Sequence, residues 1–144
     1  MECCQQTTTA AAHLWERSDL DALDWREFEQ LVAMLYESRG CDTRLTDDGA
    51  DGGVDIYVRC SGRLKAVEVK HRTSGGTVGR PVVQKTASHL LRQPVLQAVV
   101  VSSGQFSSDA LSYVAGTDAN ITLVSGKDVL AAASINGLPK GGNS

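Results

Sequence analysis

The chain has 144 residues, of which 42% are hydrophobic and 22% charged, with 14 glycines and 3 prolines. This length is typical of one domain, and this composition excludes a disordered chain, a collagen-like repeat and a low-complexity scaffold. The net charge is −3, and the charged residues are unevenly distributed along the chain. Residues 1–38 hold 2 bases and 8 acids, whereas residues 39–92 hold 10 bases and 6 acids. The basic middle fits a nucleic-acid groove that contains a metal site, and fits equally a solvated surface of mixed charge.

The first predicted helix begins at a capping box formed by Asp24 and Glu27. Apolar residues then recur with helical spacing as far as Tyr36, and Gly40 marks the end. The residues before it, 1–23, have no clear period, and we expect a loose arm or a short helix there.

Short strands and glycine-rich loops follow this helix. We expect a strand over 43–46, a second over 54–58 with Val54, Ile56 and Val58 on one face, and a third over 65–70. The second and third form a hairpin, and residues 73–79 form a loop without periodicity.

The second half of the chain alternates helices and strands. Pro81 suits the first turn of a helix that runs to about Gln93, and the apolar run 95–101 is typical of a strand buried on both faces. The remaining predicted elements are a helix over 107–116, a strand over 121–124 and a helix over 126–133. This order predicts an α/β fold whose mixed sheet is flanked by helices. We place the domain at 24–135 and a flexible tail at 136–144.

Location and redox state are also expectations. No apolar run reaches the roughly 18 residues that cross a membrane, and the first residues lack the regions of a signal peptide. We therefore expect a cytoplasmic protein that does not bind membranes. The cysteines at positions 3, 4, 41 and 60 include no C-x-x-C pair, so we expect reduced thiols rather than a zinc site or disulfides.

The hairpin carries the residues that could do chemistry. Side chains alternate along a strand, so Glu68 and Lys70 share a face, and one hairpin register brings Asp55 beside Glu68. Two adjacent carboxylates raise each other's pKa unless a cation neutralises them, which indicates a divalent metal such as Mg²⁺. Such an ion would activate water for phosphodiester hydrolysis, with Lys70 orienting the water or offsetting charge on the phosphate. Alternatively, Glu68 and Lys70 form an exposed surface pair.

Glu29 lies at the edge of the apolar stripe of the first helix, so its carboxylate should lean toward the sheet. There it could supply a further, water-mediated ligand to the metal. The alternative is a surface acid at the helix boundary.

Several of these segments resemble the catalytic domain of Mrr-type restriction endonucleases, within the PD-(D/E)XK nuclease superfamily. They are 28–32 (FEQLV), 46–55 (TDDGADGGVD), 67–72 (VEVKHR), 78–79 (VG), 99–107 (VVVSSGQFS), Ala110 and 121–130 (ITLVSGKDVL). The resemblance implies a three-layer α-β-α restriction-endonuclease-like fold. It also implies that Asp55 and Glu68 bind Mg²⁺, with Mn²⁺ as an alternative, that Lys70 assists the attacking water, and that Glu29 is the acid on the helix.

The chain departs from this family in two ways. Many Mrr-like domains carry Gln where Glu68 stands, so this chain has the more general nuclease form of the motif. Mrr enzymes also commonly carry a separate DNA-recognition domain, for which this chain has no room, so recognition of a sequence or of modified DNA is in question.

DNA contacts are expected from side chains around the site. The candidates are Arg44, His71, Arg72, Arg80, Gln84 and Lys85. Gln84 has the alternative of simple exposure on its helix. No P-loop ending is present, so we expect no nucleotide cofactor. With 5% aromatic residues, duplex or branched DNA held by its phosphates is favoured over single strands captured by stacking.

These observations predict a Mg²⁺-dependent DNA endonuclease of the Mrr-like type, acting as a homodimer because one site cuts one strand. One alternative is a Holliday-junction resolvase, which would prefer four-way junctions to linear duplex. Another is a non-catalytic DNA-binding module of a larger assembly.

Overall fold

The computed structural model describes residues 14–47, 53–92 and 94–138. Its helices are α1 (Arg17–Asp21), α2 (Trp25–Glu37), α3 (Arg80–Ala87), α4 (Ser108–Gly116) and α5 (Gly126–Ile135). Its strands are β1 (Asp42–Leu45), β2 (Ile56–Cys60), β3 (Arg63–Lys70), β4 (Thr77–Val78), β5 (Val95–Ser102), β6 (Gln105–Phe106) and β7 (Ile121–Val124). Short 3₁₀ helices lie at Thr73–Gly75 and Ser88–Leu91. Within these ranges, no helix combines the length and the apolar composition needed to cross a membrane.

The main sheet has the strand order β1-β2-β3-β5-β7. Strands β1, β2 and β3 pair antiparallel as a meander, and β5 and β7 run parallel to β3. Strands β4 and β6 form a separate parallel pair of two residues each. The predicted mixed sheet with one hairpin and later crossovers is therefore confirmed.

Helices cover both faces of the sheet because β5 is apolar on both sides. The face toward α2 and α5 is packed with Leu31, Val32, Val99, Val101 and Val129. The face toward α3 and α4 is packed with Val83, Ala98, Val100 and Ala110. Alternate residues of β5 thus enter opposite layers, as the period of a strand requires. The expected three-layer α-β-α arrangement is confirmed.

Residues 14–23, for which we expected a loose arm or a short helix, contain the helix α1 and pack onto this domain. Trp15, Leu20 and Leu23 are buried in the same core as α2. The indole Nε1 of Trp15 also donates to the carbonyl of Leu138, over 2.9 Å. The segments before and after the domain are therefore in contact with each other. Residues 1–13 of the predicted arm and the last six residues of the predicted tail lie outside the described residues.

Three local predictions need correction. Val54 precedes β2 and packs with Ala66 and Val95, away from the core of Ile56 and Val58, because the extended strand begins only at Ile56. The helix predicted to run to Gln93 ends at Ala87 and continues as the 3₁₀ helix Ser88–Leu91; Gln93 itself is not among the described residues. The predicted loop over 73–79 contains β4, whose partner β6 is too distant in sequence for a local pattern to reveal.

The expectation of reduced thiols is wrong for two of the cysteines. Cys41 and Cys60 form a disulfide, with their Cα atoms 4.5 Å apart. The antiparallel register explains this, because Asp42 lies opposite Arg59, and Cys41 immediately precedes Asp42 while Cys60 immediately follows Arg59. Positions 3 and 4 lie outside the described residues.

Candidate active site

The β2–β3 hairpin fixes Asp55 one residue before β2 begins. Its backbone N–H donates to the carbonyl of Val67 over 2.9 Å, and its carbonyl accepts from Thr46 N–H, also over 2.9 Å. The Oδ2 atom accepts a 2.7 Å hydrogen bond from the backbone N–H of Val69. Because Ile56 pairs with Val67, these bonds set Asp55 across from Glu68, as the hairpin register predicted.

Glu68 is the buried carboxylate of the site, with a relative exposure of 4%. Its Oε2 atom is 2.9 Å from Lys70 Nζ, so the predicted side-by-side pair is formed. Its Oε1 atom accepts a 2.7 Å hydrogen bond from Thr86 Oγ1 on α3. The alternative of an exposed surface pair is therefore wrong, because Glu68 lies inside the molecule.

Glu29 reaches the site from α2 on the other side of the sheet. It is 5% exposed, which matches the inward lean that its helical position predicted. Its carboxyl hydrogen-bonds with that of Asp55, and its Oε1 atom accepts from Arg26 Nη1 over 2.9 Å. The alternative of a surface acid at the helix boundary does not hold.

The pKa of Asp55 reflects its burial and the charges around it. Burial raises the pKa of Asp55, and the nearby Glu68 carboxylate raises it further. The Val69 N–H bond, the Lys70 ammonium and the Glu29 hydrogen bond act in the opposite direction. A cation bound beside Asp55 would favour its charged form, because an opposite charge nearby lowers the pKa of a carboxyl group.

The oxygen donors therefore fit a hard divalent cation such as Mg²⁺, which prefers carboxylate ligands and retains several waters. Within the described ranges, no group of three or more His, Cys, Asp or Glu side chains is already arranged as a full set of metal ligands. The available donors are Asp55 and Glu68, with Glu29 beside Asp55.

His71 was expected to contact DNA, and the structure uses it for packing. Its ring stacks on Phe28, with the centroids 5.1 Å apart. Its Nδ1 atom lies 2.8 Å from Ser103 Oγ, and its Nε2 atom lies 2.6 Å from the carbonyl of Leu23. Both ring nitrogens therefore have partners inside the protein, and the DNA contact of His71 stays a prediction.

Two of the expected arginines stack on tyrosines. The Arg44 guanidinium lies 4.8 Å from the ring centroid of Tyr57. That of Arg80 lies 5.1 Å from the ring of Tyr113, and its Nη1 atom is 3.4 Å from Asp109 Oδ1. Both guanidinium groups are thereby held against the protein surface by an aromatic ring.

Arg72 is half-buried, and its backbone N–H donates to Ser103 Oγ over 2.6 Å. Gln84 and Lys85 are exposed on α3, which matches the alternative given for Gln84. No DNA is present in the structure, so the contacts of Arg44, Arg72, Arg80, Gln84 and Lys85 with it stay predictions.

Two polar residues of this site were not predicted from the sequence, Thr86 and His89. Both are buried, and they follow Val83 at successive steps of three residues on the inner face of the helical segment. A polar residue at an apolar position of a helical stripe is the signal that would have identified them.

His89 lies behind Glu68 and is 2% exposed. Its Nε2 atom is 4.0 Å from Glu68 Oε1, and neither ring nitrogen has a hydrogen-bond partner. Burial lowers the pKa of His89 and the positive charge of Arg92 lowers it further, while the Glu68 carboxylate acts in the opposite direction.

Comparisons with known proteins show the family and the fold. The sequence model of a family described as restriction endonuclease (Mrr_cat) matches residues 20–133. The uncharacterized protein y4cE of Sinorhizobium fredii (strain NBRC 101917 / NGR234) is 35% identical over 95 residues, which are 63% of this chain and 24% of that protein.

Three solved structures share the fold. A protein of unknown function, AF1548, superposes with a TM-score of 0.63 at 20% identity, over 74% of this chain and 65% of that one. The MspJI restriction endonuclease, in complex with a 27-mer oligonucleotide, gives 0.59 at 19% identity, over 81% and 28%. The DNA modification-dependent restriction endonuclease AspBHI gives 0.60 at 20% identity, over 77% and 31%. The chain thus spans about a quarter of the curated relative and less than a third of the two endonucleases.

Proposed function

Because the chain belongs to the restriction endonuclease family defined by the Mrr-type catalytic domain, we propose that it is a Mg²⁺-dependent DNA endonuclease of the Mrr-like type. The observation that carries this proposal is the convergence of Asp55, Glu68 and Lys70 at one end of the hairpin. Glu68 is 2.9 Å from Lys70, and Asp55 lies across from Glu68 on the paired strand.

Asp55 and Glu68 would hold the metal, with Glu29 adding a carboxylate beside Asp55. When bound, Mg²⁺, or Mn²⁺ in its place, stabilises charge on the phosphoryl oxygens and lowers the pKa of a coordinated water. The charge of the ion would offset the repulsion between the Asp55 and Glu68 carboxylates, which raises the pKa of Asp55.

Lys70 has the position required of the group that assists attack. Its side chain is 31% exposed, whereas that of its partner Glu68 is 5% exposed. The Lys70 side chain therefore contacts the buried carboxylate and is also accessible from the solvent. From there the ammonium donates to the attacking water, or to the phosphate oxygens as their charge rises. The water oxygen bonds to phosphorus and loses a proton to the solvent, one P–O ester bond breaks, and the leaving oxygen takes up a proton from the solvent.

DNA is the proposed substrate, in duplex or branched form. The side chains of Arg44, Arg80 and Lys85 reach the surface, and phosphate contacts from such side chains position a duplex without reading its sequence. Since one site hydrolyses one strand, a double-strand cut requires two copies, and we extend the proposal to a homodimer.

The test is cleavage of supercoiled plasmid, linear duplex and a four-way junction, each with Mg²⁺ or EDTA. Lys70→Ala removes the ammonium of the site, and Lys127→Ala removes an exposed ammonium on α5 as the matched control. We expect cutting that requires Mg²⁺, is lost in Lys70→Ala and persists in Lys127→Ala. Preferential cutting of the junction would favour a resolvase. DNA binding without cutting would refute the endonuclease and favour a non-catalytic module.

A further inference from the structure

His89 is a buried polar side chain without a hydrogen bond. Its ring is 2% exposed, and both Nδ1 and Nε2 lack partners. Burying such a group costs free energy, and buried groups of this kind are rare in folded proteins. A residue that served packing alone would fill this space better as an apolar side chain of similar shape.

His89 lies against the candidate site. Its Nε2 atom is 4.0 Å from Glu68 Oε1, about one ångström beyond a hydrogen bond. On another side, a Cβ built on Gly53 would lie 4.0 Å from the ring atoms Cε1 and Nε2, so the backbone leading to Asp55 passes close by. Thr86, one helical turn earlier, already donates to that same Oε1 atom.

We propose that His89 is a positioning residue that donates from Nε2–H to Glu68 Oε1 when Glu68 binds a divalent cation. This inference rests on the proposed function, because it assigns Glu68 to the metal. Thr86 and His89 together hold Oε1, which leaves Oε2, the oxygen beside Lys70, directed to the reacting centre. The imidazole, whose ring nitrogens have no hydrogen-bond partner in the structure, would then have one.

The experiment measures the affinity of the whole chain for Mg²⁺ by calorimetry, without DNA, together with the melting temperature in EDTA. His89→Leu removes the donor and also the unpaired polar atoms. We expect its Mg²⁺ affinity to fall by roughly ten- to a hundred-fold, the usual cost of losing a partner of a metal ligand. Its melting temperature in EDTA should equal or exceed that of the wild type, because no buried polar group is left unpaired.

His89→Gln is the conservative partner of this experiment, since its amide nitrogen can donate to the same oxygen. We expect it to recover most of the Mg²⁺ affinity. If His89→Leu binds Mg²⁺ as tightly as the wild type, the inference is overturned. It is also overturned if His89→Leu and His89→Gln bind Mg²⁺ equally weakly, because the changed shape of the side chain would then explain both losses. If His89→Leu does not fold, His89→Phe makes the same comparison with an apolar ring.

The two proposals fail in different ways. A wild type that binds Mg²⁺ and cuts DNA, with His89→Leu equal to it in affinity, refutes the role of His89 and keeps the nuclease. A wild type that neither binds Mg²⁺ nor cuts DNA refutes both.

Discussion

Replacing Thr86 with valine tests how Glu68 is held. The Thr86 side chain is fully buried, and its Oγ1 atom lies 2.7 Å from Glu68 Oε1 and 2.9 Å from the carbonyl of Val82. Valine has nearly the same shape but carries a methyl group where the hydroxyl was. The substitution therefore removes the donor without opening a cavity.

The expected cost follows from the charge of the acceptor. A hydroxyl has one hydrogen, so it serves one of its two acceptors at a time, and the ion pair with Lys70 marks Glu68 as charged. A hydrogen bond to a charged group contributes about 1.5–3 kcal/mol. We expect Thr86→Val to lower the free energy of unfolding by about that amount. Its Mg²⁺ affinity should fall roughly ten- to a hundred-fold.

The assay is denaturant unfolding in EDTA, followed by calorimetric titration with Mg²⁺. Thr86→Ser is the matched control, because it keeps the hydroxyl and loses one buried methyl, at a cost of about 0.5–1.5 kcal/mol. The serine variant should keep the Mg²⁺ affinity of the wild type. The reasoning is refuted if Thr86→Val binds Mg²⁺ as tightly as the wild type, or if Thr86→Ser binds it as weakly as Thr86→Val. In either case the hydroxyl does not hold Glu68.

Three further predictions concern other parts of the structure. Because burial raises the pKa of Asp55 above the ordinary value of 3.8, the unfolding free energy of the cation-free protein should fall as pH rises from that value through the folded pKa. Asp55→Asn should lack this fall and melt higher at pH 7 in EDTA, as calorimetry over a pH series would show; a lower melting temperature contradicts the argument. Gly104→Ala should prevent normal folding, because a Cβ there would overlap the carbonyl of a neighbouring backbone segment, whereas Gly116→Ala meets open space; thermal melts should separate the two, and equal melting temperatures would contradict it. Replacing Cys41 and Cys60 by serine removes a disulfide between positions 19 residues apart. It should lower the free energy of unfolding, measured with denaturant and without reductant, by about 3 kcal/mol. Two free thiols at these positions in the untreated protein would show that the disulfide is absent.

The hairpin could be predicted from the sequence because local rules decide it. Strand alternation places Glu68 with Lys70, and the two-residue turn at Ser61 and Gly62 sets Asp55 opposite Glu68. Glu29 followed from the helical period alone. Each of these placements depends on a pattern contained within one or two adjacent elements.

The rest depends on contacts between segments distant in sequence. His71 was predicted to contact DNA because its neighbours are basic, and nothing in residues 67–72 shows that Phe28 and the carbonyl of Leu23 enclose its ring. Thr86 and His89 belong to the site only because β3 and the segment from α3 to the following 3₁₀ helix meet on one face of the sheet. The disulfide between Cys41 and Cys60 likewise requires the register of β1 on β2.

Asp55, Glu68 and Lys70 all lie between residues 55 and 70, so one short hairpin sets the distances among them. The entropy of closing a loop depends only weakly on its length, and surface insertions outside such a unit are well tolerated. Insertions in the connection between α4 and β7 would therefore lengthen the chain without moving these three groups apart. In evolutionary terms, a chain can gain or lose surface segments outside the hairpin while the three groups keep their mutual distances.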